Sequence, residues 1–344
     1  MGSFPEDKRF AFTIIDDTDV ATVDNVLPMY RLLERLGMRT TKTVWPLACP
    51  DLQSNFVSSQ TLEDPEYRDF VVDLQDRGFE IASHGASMES SERARTLEGL
   101  ERMRATFGRY PAVHANHANN RENLYWGSAR VDSPLLRVLY RLTLHVHDAY
   151  EGHVESSRYW WGDAARAHLR YVRNLTFADL DVSRVNPTMP YHDRRRPWVP
   201  WWFSAADAED CAAFNRLLQR RAQNRLERRG GIAIVATHFG KGFVTDGRVN
   251  AETERLLEAL TRRPGWFVPV GELLDWLRER RPGGLLPTGE WRQMQWRWFR
   301  DLVRRGLADS VRRAVRSAAS AAFRGRPTPP GSAVRLQGPG RSPP

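Results

Sequence analysis

The stretch GFEIASHGASM at residues 78–88 decides how the chain folds. Phe79 and Ile81 alternate with other residues as they do in a β-strand, and this pattern ends just before His84. His84 stands where the chain must turn, so its imidazole is either a ligand or a cap of that turn. A ligand would need partners, and the position one helical turn later is Met88.

Strand-like and helical segments alternate along most of the chain. Apolar or β-branched runs predict strands at residues 9–17, 38–47, 79–83, 110–117, 232–239 and 265–270. Amphipathic runs, several of which end in glycine, predict helices at residues 25–37, 67–78, 91–108, 207–231, 250–263 and 271–281. The stretch 120–200 has a weaker pattern, with one further strand within 171–180. This order is typical of βα units around a parallel sheet.

The formal net charge of +9 is concentrated at the end of the chain. Twelve of the 51 basic residues but only two of the 42 acidic ones lie from Trp291 onward, which leaves 39 basic against 40 acidic residues before it. A nucleic-acid-binding surface needs its positive charge where the ligand lies. The nearly neutral main part therefore argues against nucleic acid as a partner.

Composition also bears on the cellular compartment. Two cysteines, Cys49 and Cys211, form no disulfide framework, and the N-terminal MGSFPEDKRF lacks the apolar run of a signal peptide. No apolar stretch approaches the roughly 20 residues that span a bilayer. The sequence therefore predicts a cytoplasmic protein, associated with a membrane at most at its surface.

The chain divides into four predicted parts. Residues 1–281 carry the βα pattern, and residues 282–290 are a Pro/Gly-rich linker. Residues 291–323 predict an Arg-rich amphipathic helix that contacts a membrane surface or a partner protein, or else docks on the outside of the main part. Residues 324–344, rich in Pro, Gly and Arg, predict disorder. The apolar face of the Arg-rich helix is formed by Trp291, Met294, Trp298 and Leu302.

Polar residues follow the predicted strands at the positions where parallel strands end. They are Asp16, Asp17, Lys42, His84, His114, His117 and His238. In a parallel β/α barrel these positions open on one face, where active sites lie. Each of them alone is more often a cap or a satisfied core group, but together they predict a site.

Asp16 and Asp17 are the most informative pair in this set. Adjacent carboxylates repel each other, and a divalent cation stabilises them if one carboxylate ligates it while the other remains free as a base. The alternative is a helix N-cap at Asp16, Asp17 or Asp19. A cap explains one of these three carboxylates easily and all three poorly.

These motifs resemble those of the polysaccharide deacetylase (NodB-homology) family, carbohydrate esterase family four. In that family an apolar strand ends in Thr-Phe-Asp-Asp-Gly, where this chain has Ile-Ile-Asp-Asp-Thr at residues 14–18, and GFEIASHG is similar to the second motif. FGRYPAVHANH at 107–117 stands where the third motif stands. IAIVATHF at 232–239 is similar to the strand that delivers the catalytic histidine. The resemblance covers most of residues 8–280.

The resemblance implies a deformed β/α barrel of about seven strands and metal-dependent removal of acetyl groups from N-acetylated sugars or polysaccharide precursors. By position, it implies that Asp17 and His84 ligate one divalent cation, Zn²⁺ or a similar ion. It implies that Asp16 is the general base and His238 the general acid. The cation would polarise the amide carbonyl, Asp16 would take a proton from water, and His238 would protonate the leaving amine.

The chain departs from the family pattern in three respects. Met88 stands where the second motif has a further histidine, and a thioether is a poor ligand for hard or borderline cations. Thr18 replaces a glycine, and the third motif contains His114 and His117 in place of an Arg-Pro-Pro-Tyr-like string. Either the metal has been lost, or a histidine replaces the missing ligand: His117, or less readily His114 or His192. Replacement is favoured, because loss of a ligand alone would not bring new histidines to the same rim.

Further residues are predicted to bind the carbohydrate substrate. Asn116 and Asn119 lie in an amide-rich stretch that can bind sugar hydroxyls, and Trp126 follows in the same stretch. Lys241 lies between glycines and can meet an anion. Two other functions stay open: a metal-free hydrolase of another C–N bond, and a non-catalytic barrel that binds carbohydrate through aromatic residues.

Overall fold

The structure is a computed structural model that describes residues 4–49, 59–144, 149–281 and 283–324. The chain forms two compact units, Met1–Asp301 and Leu302–Pro344. The predicted disordered tail lies, from residue 325 onward, outside the described residues. Pro282 of the predicted linker also lies outside them.

Strands and helices alternate along the chain. The strands are β1 (Phe10–Asp16), β2 (Thr41–Val44), β3 (Glu80–Ser83), β4 (Val113–Ala115), β5 (Tyr171–Phe177), β6 (Trp201–Asp207), β7 (Ile232–Thr237), β8 (Val244–Thr245), β9 (Arg248–Val249) and β10 (Gly265–Trp266). The α-helices are α1 (Val23–Arg35), α2 (Pro65–Asp76), α3 (Arg93–Phe107), α4 (Pro134–Leu144), α5 (Gly162–His168), α6 (Cys211–Leu217), α7 (Arg220–Arg229), α8 (Ala251–Thr261), α9 (Val270–Arg280) and α10 (Thr288–Arg324).

Strands β1 to β7 close into a barrel. Each strand pairs in parallel with the next, and β7 pairs back with β1, from Ala11 opposite Ile232 to Asp16 opposite Thr237. Strand β10 adds to β1 near its start, and β8 and β9 form a separate antiparallel hairpin. The prediction of a deformed seven-stranded β/α barrel is confirmed.

The weakly patterned middle of the chain supplies more of the barrel than its sequence indicates. Strand β6 follows a proline-rich stretch and is absent from the predicted strands. The predicted helix 207–231 is two helices, α6 and α7, which are separated at Leu218 and Gln219. Every residue of β1 is buried, as expected for a parallel strand that is covered on both faces.

Asp16 belongs to a buried polar network. Its Oδ2 accepts a hydrogen bond from the Tyr30 hydroxyl at 2.9 Å and lies 3.0 Å from the Lys42 ammonium, while its Oδ1 accepts from the Phe239 N–H at 2.7 Å. The side chains of Asp16 and Lys42 are fully buried. Tyr30 lies on α1, so this network sits between the barrel and its helices. Because successive strand residues point to opposite faces, Asp17 points into the barrel.

We expect Asp16→Asn to lower the free energy of unfolding by about 3–5 kcal/mol, because it leaves the Lys42 ammonium buried without its counter-charge. Chemical denaturation measures this loss. The double variant Asp16→Asn/Lys42→Met should be less destabilised than the single one. Asp69→Asn, at a carboxylate that is 80% exposed, is the control and should change stability by no more than about 0.5 kcal/mol. An equally small effect of Asp16→Asn would contradict the structural role of this pair.

The first part of α10 packs within the barrel unit. Trp291, Met294 and Trp298 are buried, and the Trp298 ring stacks on Tyr140 of α4 at a centroid distance of 5.7 Å. The helix begins at Thr288, inside the predicted linker 282–290. Up to Asp301, the apolar face of the Arg-rich segment is therefore covered by the protein itself, and its contact with a membrane or partner stays a prediction. Within the described residues, no helix is long and apolar enough to span a membrane.

Candidate active site

Asp19, His84 and His117 converge at the carboxyl end of the barrel. They follow β1, β3 and β4, and one potential ligand atom from each lies within 4.8 Å of the other two. All three side chains are buried. One carboxylate and two imidazoles form a donor set that suits Zn²⁺ and similar cations.

Asp19 occupies the place in this cluster that the family motif implies for Asp17. Asp17 instead makes a bidentate ion pair with Arg173, whose Nη1 and Nη2 donate to Oδ1 at 2.8 Å and to Oδ2 at 2.6 Å. Arg173 lies on β5, which is not a neighbour of β1, so this pair crosses the barrel interior. Asp19 lies two residues beyond Asp17, in the turn after the strand, where its carboxylate reaches the two histidines.

Asp17 lies near both His84 of the cluster and His238. Its Oδ1 is 4.0 Å from His84 Nδ1, and its Oδ2 is 3.9 Å from His238 Nε2. Burial raises the pKa of Asp17, but the charge and hydrogen bonds of Arg173, together with the charges of His84 and His238, outweigh burial and hold this pKa below its usual range. Asp17 is therefore an ionised acceptor with a fixed orientation.

Asn120 fixes the orientation of His117. The Nδ2 group of Asn120 donates to the carbonyl oxygens of Ser87 and Glu89 and to Oε1 of Glu122 at 3.0, 2.9 and 2.8 Å. Oδ1 of Asn120 therefore accepts from His117 Nδ1 at 2.8 Å, which leaves the lone pair on His117 Nε2, 3.8 Å from Asp19 Oδ1. Burial lowers the pKa of His117 to about 4, so the imidazole is neutral, as a metal ligand must be.

The structure places His114 and His192 in other roles. His114 Nδ1 lies 3.1 Å from Ser83 Oγ, and its Nε2 lies 3.1 Å from Asn116 Oδ1, so both ring nitrogens are bound. Burial lowers the pKa of His114 to about 3. His192 Nδ1 donates to the Pro200 carbonyl at 3.0 Å, next to the amino end of β6 and so at the opposite end of the barrel. Of the three candidate replacement ligands, His117 is the one that lies with His84.

Met88 packs in a small apolar cluster with Trp45 and Cys49. The Trp45 ring is fully buried, and its centroid lies 5.5 Å from that of His84 and 5.4 Å from that of His117. Met88 therefore packs with Trp45, whose ring lies against the imidazoles of both His84 and His117. The position at which the family has its second histidine serves packing in this chain.

His238 faces the same cluster from β7. Its Nδ1 donates to the Glu209 carbonyl at 2.7 Å, which directs Nε2 toward Asp19 Oδ2 at 3.3 Å. Burial lowers the pKa of His238, but the hydrogen bond with Asp19 and the charge of Asp17 outweigh burial and raise it above its ordinary value. His238 is therefore a candidate proton donor. Lys241, in the same loop, lies 3.6 Å from Asp19 Oδ2.

The loop after β7 passes very close to the turn after β1. A Cβ atom on Gly240 would lie 2.6 Å from the Val20 carbonyl oxygen, so the approach requires glycine. Val20 has a φ of 53°, a left-handed conformation that costs a β-branched residue about 1–3 kcal/mol. The two loops therefore meet beside Asp19 and His238.

The four residues predicted to bind substrate have different environments. Asn116 is buried and bound within its own loop: it donates to the Leu124 carbonyl and accepts from the Leu124 N–H. Asn119 is exposed, and Trp126 is half-buried with the Arg130 guanidinium 3.0 Å from its ring centroid. Lys241 is the one of the four that reaches the Asp19 cluster.

We expect Asn120→Ala to weaken metal binding by about 10–100-fold, because His117 loses the hydrogen bond that fixes its tautomer and ring orientation. Competition with a chromophoric chelator measures the dissociation constant. Asn119→Ala makes the same chemical change at the preceding, exposed position and should leave the affinity unchanged. Equal affinities in the two variants would show that Asn120 does not orient a ligand.

No protein-family model matches the sequence, and a search of curated proteins also gives no match. Among solved structures, a protein from Mycobacterium smegmatis described as a polysaccharide deacetylase is 13% identical, with 83% of this chain and 96% of that chain covered and a TM-score of 0.47. An allantoinase is 13% identical, with 81% and 93% covered and a TM-score of 0.49. A protein from Pseudomonas aeruginosa, also described as a polysaccharide deacetylase, is 14% identical, with 81% and 94% covered and a TM-score of 0.47.

Proposed function

We propose that this protein is a metal-dependent hydrolase that removes an acyl group from the nitrogen of an N-acylated sugar. The observation that carries the proposal is the convergence of Asp19, His84 and His117 beside the carboxylate of Asp17 and the imidazole of His238. Hydrolysis of an amide at a divalent cation uses a base that accepts a proton from water and an acid that protonates the leaving amine, and a carboxylate and an imidazole can serve as these two groups.

The residues present fit a divalent cation. His84 Nδ1 is buried and has no hydrogen-bond partner within the described part of the chain. His117 is neutral and directs a lone pair toward Asp19. Burial raises the pKa of Asp19, but hydrogen bonds with His238 and His84 outweigh it and keep this pKa far below its usual range, so the carboxylate is ionised. Asp19, His84 and His117 would hold the ion.

The reaction breaks the amide C–N bond, adds the hydroxyl of water to the acyl carbon and adds a proton to the amine. A divalent cation supplies polarisation of the amide carbonyl and a lowered pKa of water. Asp17, held by Arg173, accepts the proton of the attacking water. His238 gives its Nε2 proton to the leaving amine, while the Glu209 carbonyl holds the opposite side of the ring in place. In this assignment Asp17 is the base and Asp16 is structural.

Substrate would approach from the side of His238 and Lys241. Side-chain exposure rises from 2% at His84 to 15% at His238 and 23% at Lys241. Lys241 would therefore be the first polar group that a sugar meets next to the reacting centre.

Acetate release from free, polymeric and nucleotide-linked N-acetyl sugars tests the proposal. The chelator-treated protein should be inactive, and one equivalent of Zn²⁺ should restore activity. A rate that is the same with and without metal would instead support the metal-free C–N hydrolase. Sugar binding without acetate release from any substrate would support the non-catalytic barrel.

A further inference from the structure

Glu122 carries a buried carboxylate that the proposed reaction does not use. The residue is 2% exposed, and within the described residues no nitrogen of a lysine, arginine or histidine side chain lies within 4.0 Å of its carboxylate. Glutamate is rarely buried so completely without a charged partner. Burial raises the pKa of Glu122 to about 7, although hydrogen bonds from Ser91 and Asn120 oppose this rise. The place of this carboxylate in the structure therefore needs an explanation.

The two oxygens of Glu122 join the loops that carry the two histidines of the candidate metal site. Oε2 accepts a hydrogen bond from the Ser91 N–H at 2.9 Å, in the loop that follows β3 and contains His84. Oε1 accepts from Asn120 Nδ2 at 2.8 Å, in the loop that follows β4 and contains His117. One buried carboxylate thus bridges the two loops.

Glu122 is also one of three acceptors that surround the amide nitrogen of Asn120. The other two are the carbonyl oxygens of Ser87 and Glu89. A side-chain amide has one donor end and one acceptor end, so the groups around it decide which end faces which neighbour. With its nitrogen held on this side, Asn120 presents Oδ1 to His117 Nδ1 at 2.8 Å. Glu122 is the only side chain among the three acceptors, and hydrogen bonds to a carboxylate are the stronger kind.

We propose that Glu122 is a positioning residue that acts on His117 through Asn120. The hydrogen-bonded chain runs from the Glu122 carboxylate to the Asn120 amide and on to His117 Nδ1, which keeps the proton on Nδ1 and the lone pair on Nε2. Groups bound behind a metal ligand commonly fix its tautomer and orientation. This inference rests on the proposed function, because it takes His117 as a ligand of the ion.

Glutamine and aspartate at position 122 distinguish this role from packing. Glu122→Gln keeps the shape but replaces one oxygen by an NH₂ group, which must face either the Ser91 N–H or Asn120 Nδ2. Asn120 then loses its fixed orientation, and we expect the affinity for metal to fall about tenfold or more. Glu122→Asp shortens the side chain but keeps two accepting oxygens, so it should bind metal more tightly than Glu122→Gln. A role in packing alone predicts the opposite order, since the variant of conserved volume is then the milder one.

Two measurements on the full-length protein test the proposal. Competition with a chromophoric chelator gives the Zn²⁺ affinity of each variant, and NMR of the imidazole nitrogens shows which nitrogen of His117 carries the proton in the metal-free protein. The native chain and Glu122→Asp should carry it on Nδ1, and a share of the Glu122→Gln molecules should carry it on Nε2.

Glu80→Gln is the matched control. Glu80 Oε2 also accepts a backbone N–H, from Gly271 at 2.9 Å, but Glu80 begins β3 and so lies at the opposite end of the barrel. This variant should leave the Zn²⁺ affinity and the His117 proton as they are in the native chain. Circular dichroism should show which variants are folded.

The proposal is overturned if Glu122→Gln keeps the His117 proton on Nδ1, if Glu122→Asp binds Zn²⁺ more weakly than Glu122→Gln, or if Glu80→Gln loses as much affinity. If Glu122→Gln does not fold, Glu122→Asp decides: its proton on Nδ1 supports the proposal, and a shift to Nε2 overturns it. A native chain that binds no Zn²⁺ would instead refute the metal-dependent function, and the position of the His117 proton would still decide the role of Glu122.

Discussion

Replacing Asp19 by asparagine should remove the metal from the folded protein and lower kcat/KM by about 10³-fold or more. The metal site loses its only charged ligand among the three residues that would hold the ion, and a bound cation contributes several kcal/mol of transition-state stabilisation. Elemental analysis of the purified variant measures the metal, and acetate release measures the rate.

Asp24→Asn is the matched control for this change. Asp24 lies five residues away on α1 and is exposed, so its variant should keep both metal and activity. If Asp19→Asn retains a full equivalent of metal, the ion is held by other residues and the proposed ligand set is wrong.

Replacing Asp17 by asparagine should lower kcat by about 10²–10⁴-fold while the metal stays bound, because a general base contributes a factor of that size. Arg173 then lacks its counter-charge, so circular dichroism must confirm that the variant folds under the assay conditions. Metal retention with loss of rate is the signature that separates a base from a ligand.

The opposite outcome is equally informative. If Asp17→Asn loses the metal and Asp19→Asn retains it, Asp17 is the ligand, as its position in the family motif implies.

The folded fraction of Asp16→Asn should keep its metal and most of its activity per folded molecule, because Asp16 is bound to Lys42 and Tyr30.

Much of the barrel follows from local sequence patterns. Five strands have apolar runs that end clearly, four before residue 120 and one just before His238. The structure places all five within their predicted ranges: β1, β2, β3, β4 and β7. Strand β6 has similar apolar character, but nearby prolines make it resemble a loop. Its place depends on pairing with β5 and β7, which no local pattern contains.

The sequence predicted the histidines of the site better than its carboxylates. His84 and His117 follow neighbouring strands, so convergence at one end of a parallel sheet places them together. Asp16 and Asp17 cannot both face the barrel interior, because adjacent strand residues point to opposite sides. Asp19 lies in the turn after the strand, where alternation no longer fixes the direction of a side chain, so the pattern does not identify it as a ligand. Whether Asp16 or Asp17 faces the interior depends on Lys42 and Tyr30, which bind Asp16 on the other side of the strand.

Two other residues of the site had weaker sequence signals. Arg173 lies inside a predicted strand, and a buried arginine needs a carboxylate partner, but its partner, Asp17, lies more than 150 residues away. Asn120 is one of several asparagines in its loop. Only the three-dimensional contacts distinguish it from the exposed Asn119 and from Asn116, which is bound within the loop.

The most direct test of the account is a crystal structure of the protein with Zn²⁺, with anomalous diffraction measured at the zinc absorption edge. We expect one strong peak at about 2.0–2.2 Å from a carboxylate oxygen of Asp19 and from one nitrogen each of His84 and His117. A crystal soaked in Zn²⁺ that shows no such peak, or one in which Asp17 binds the ion and His117 does not, would contradict the account.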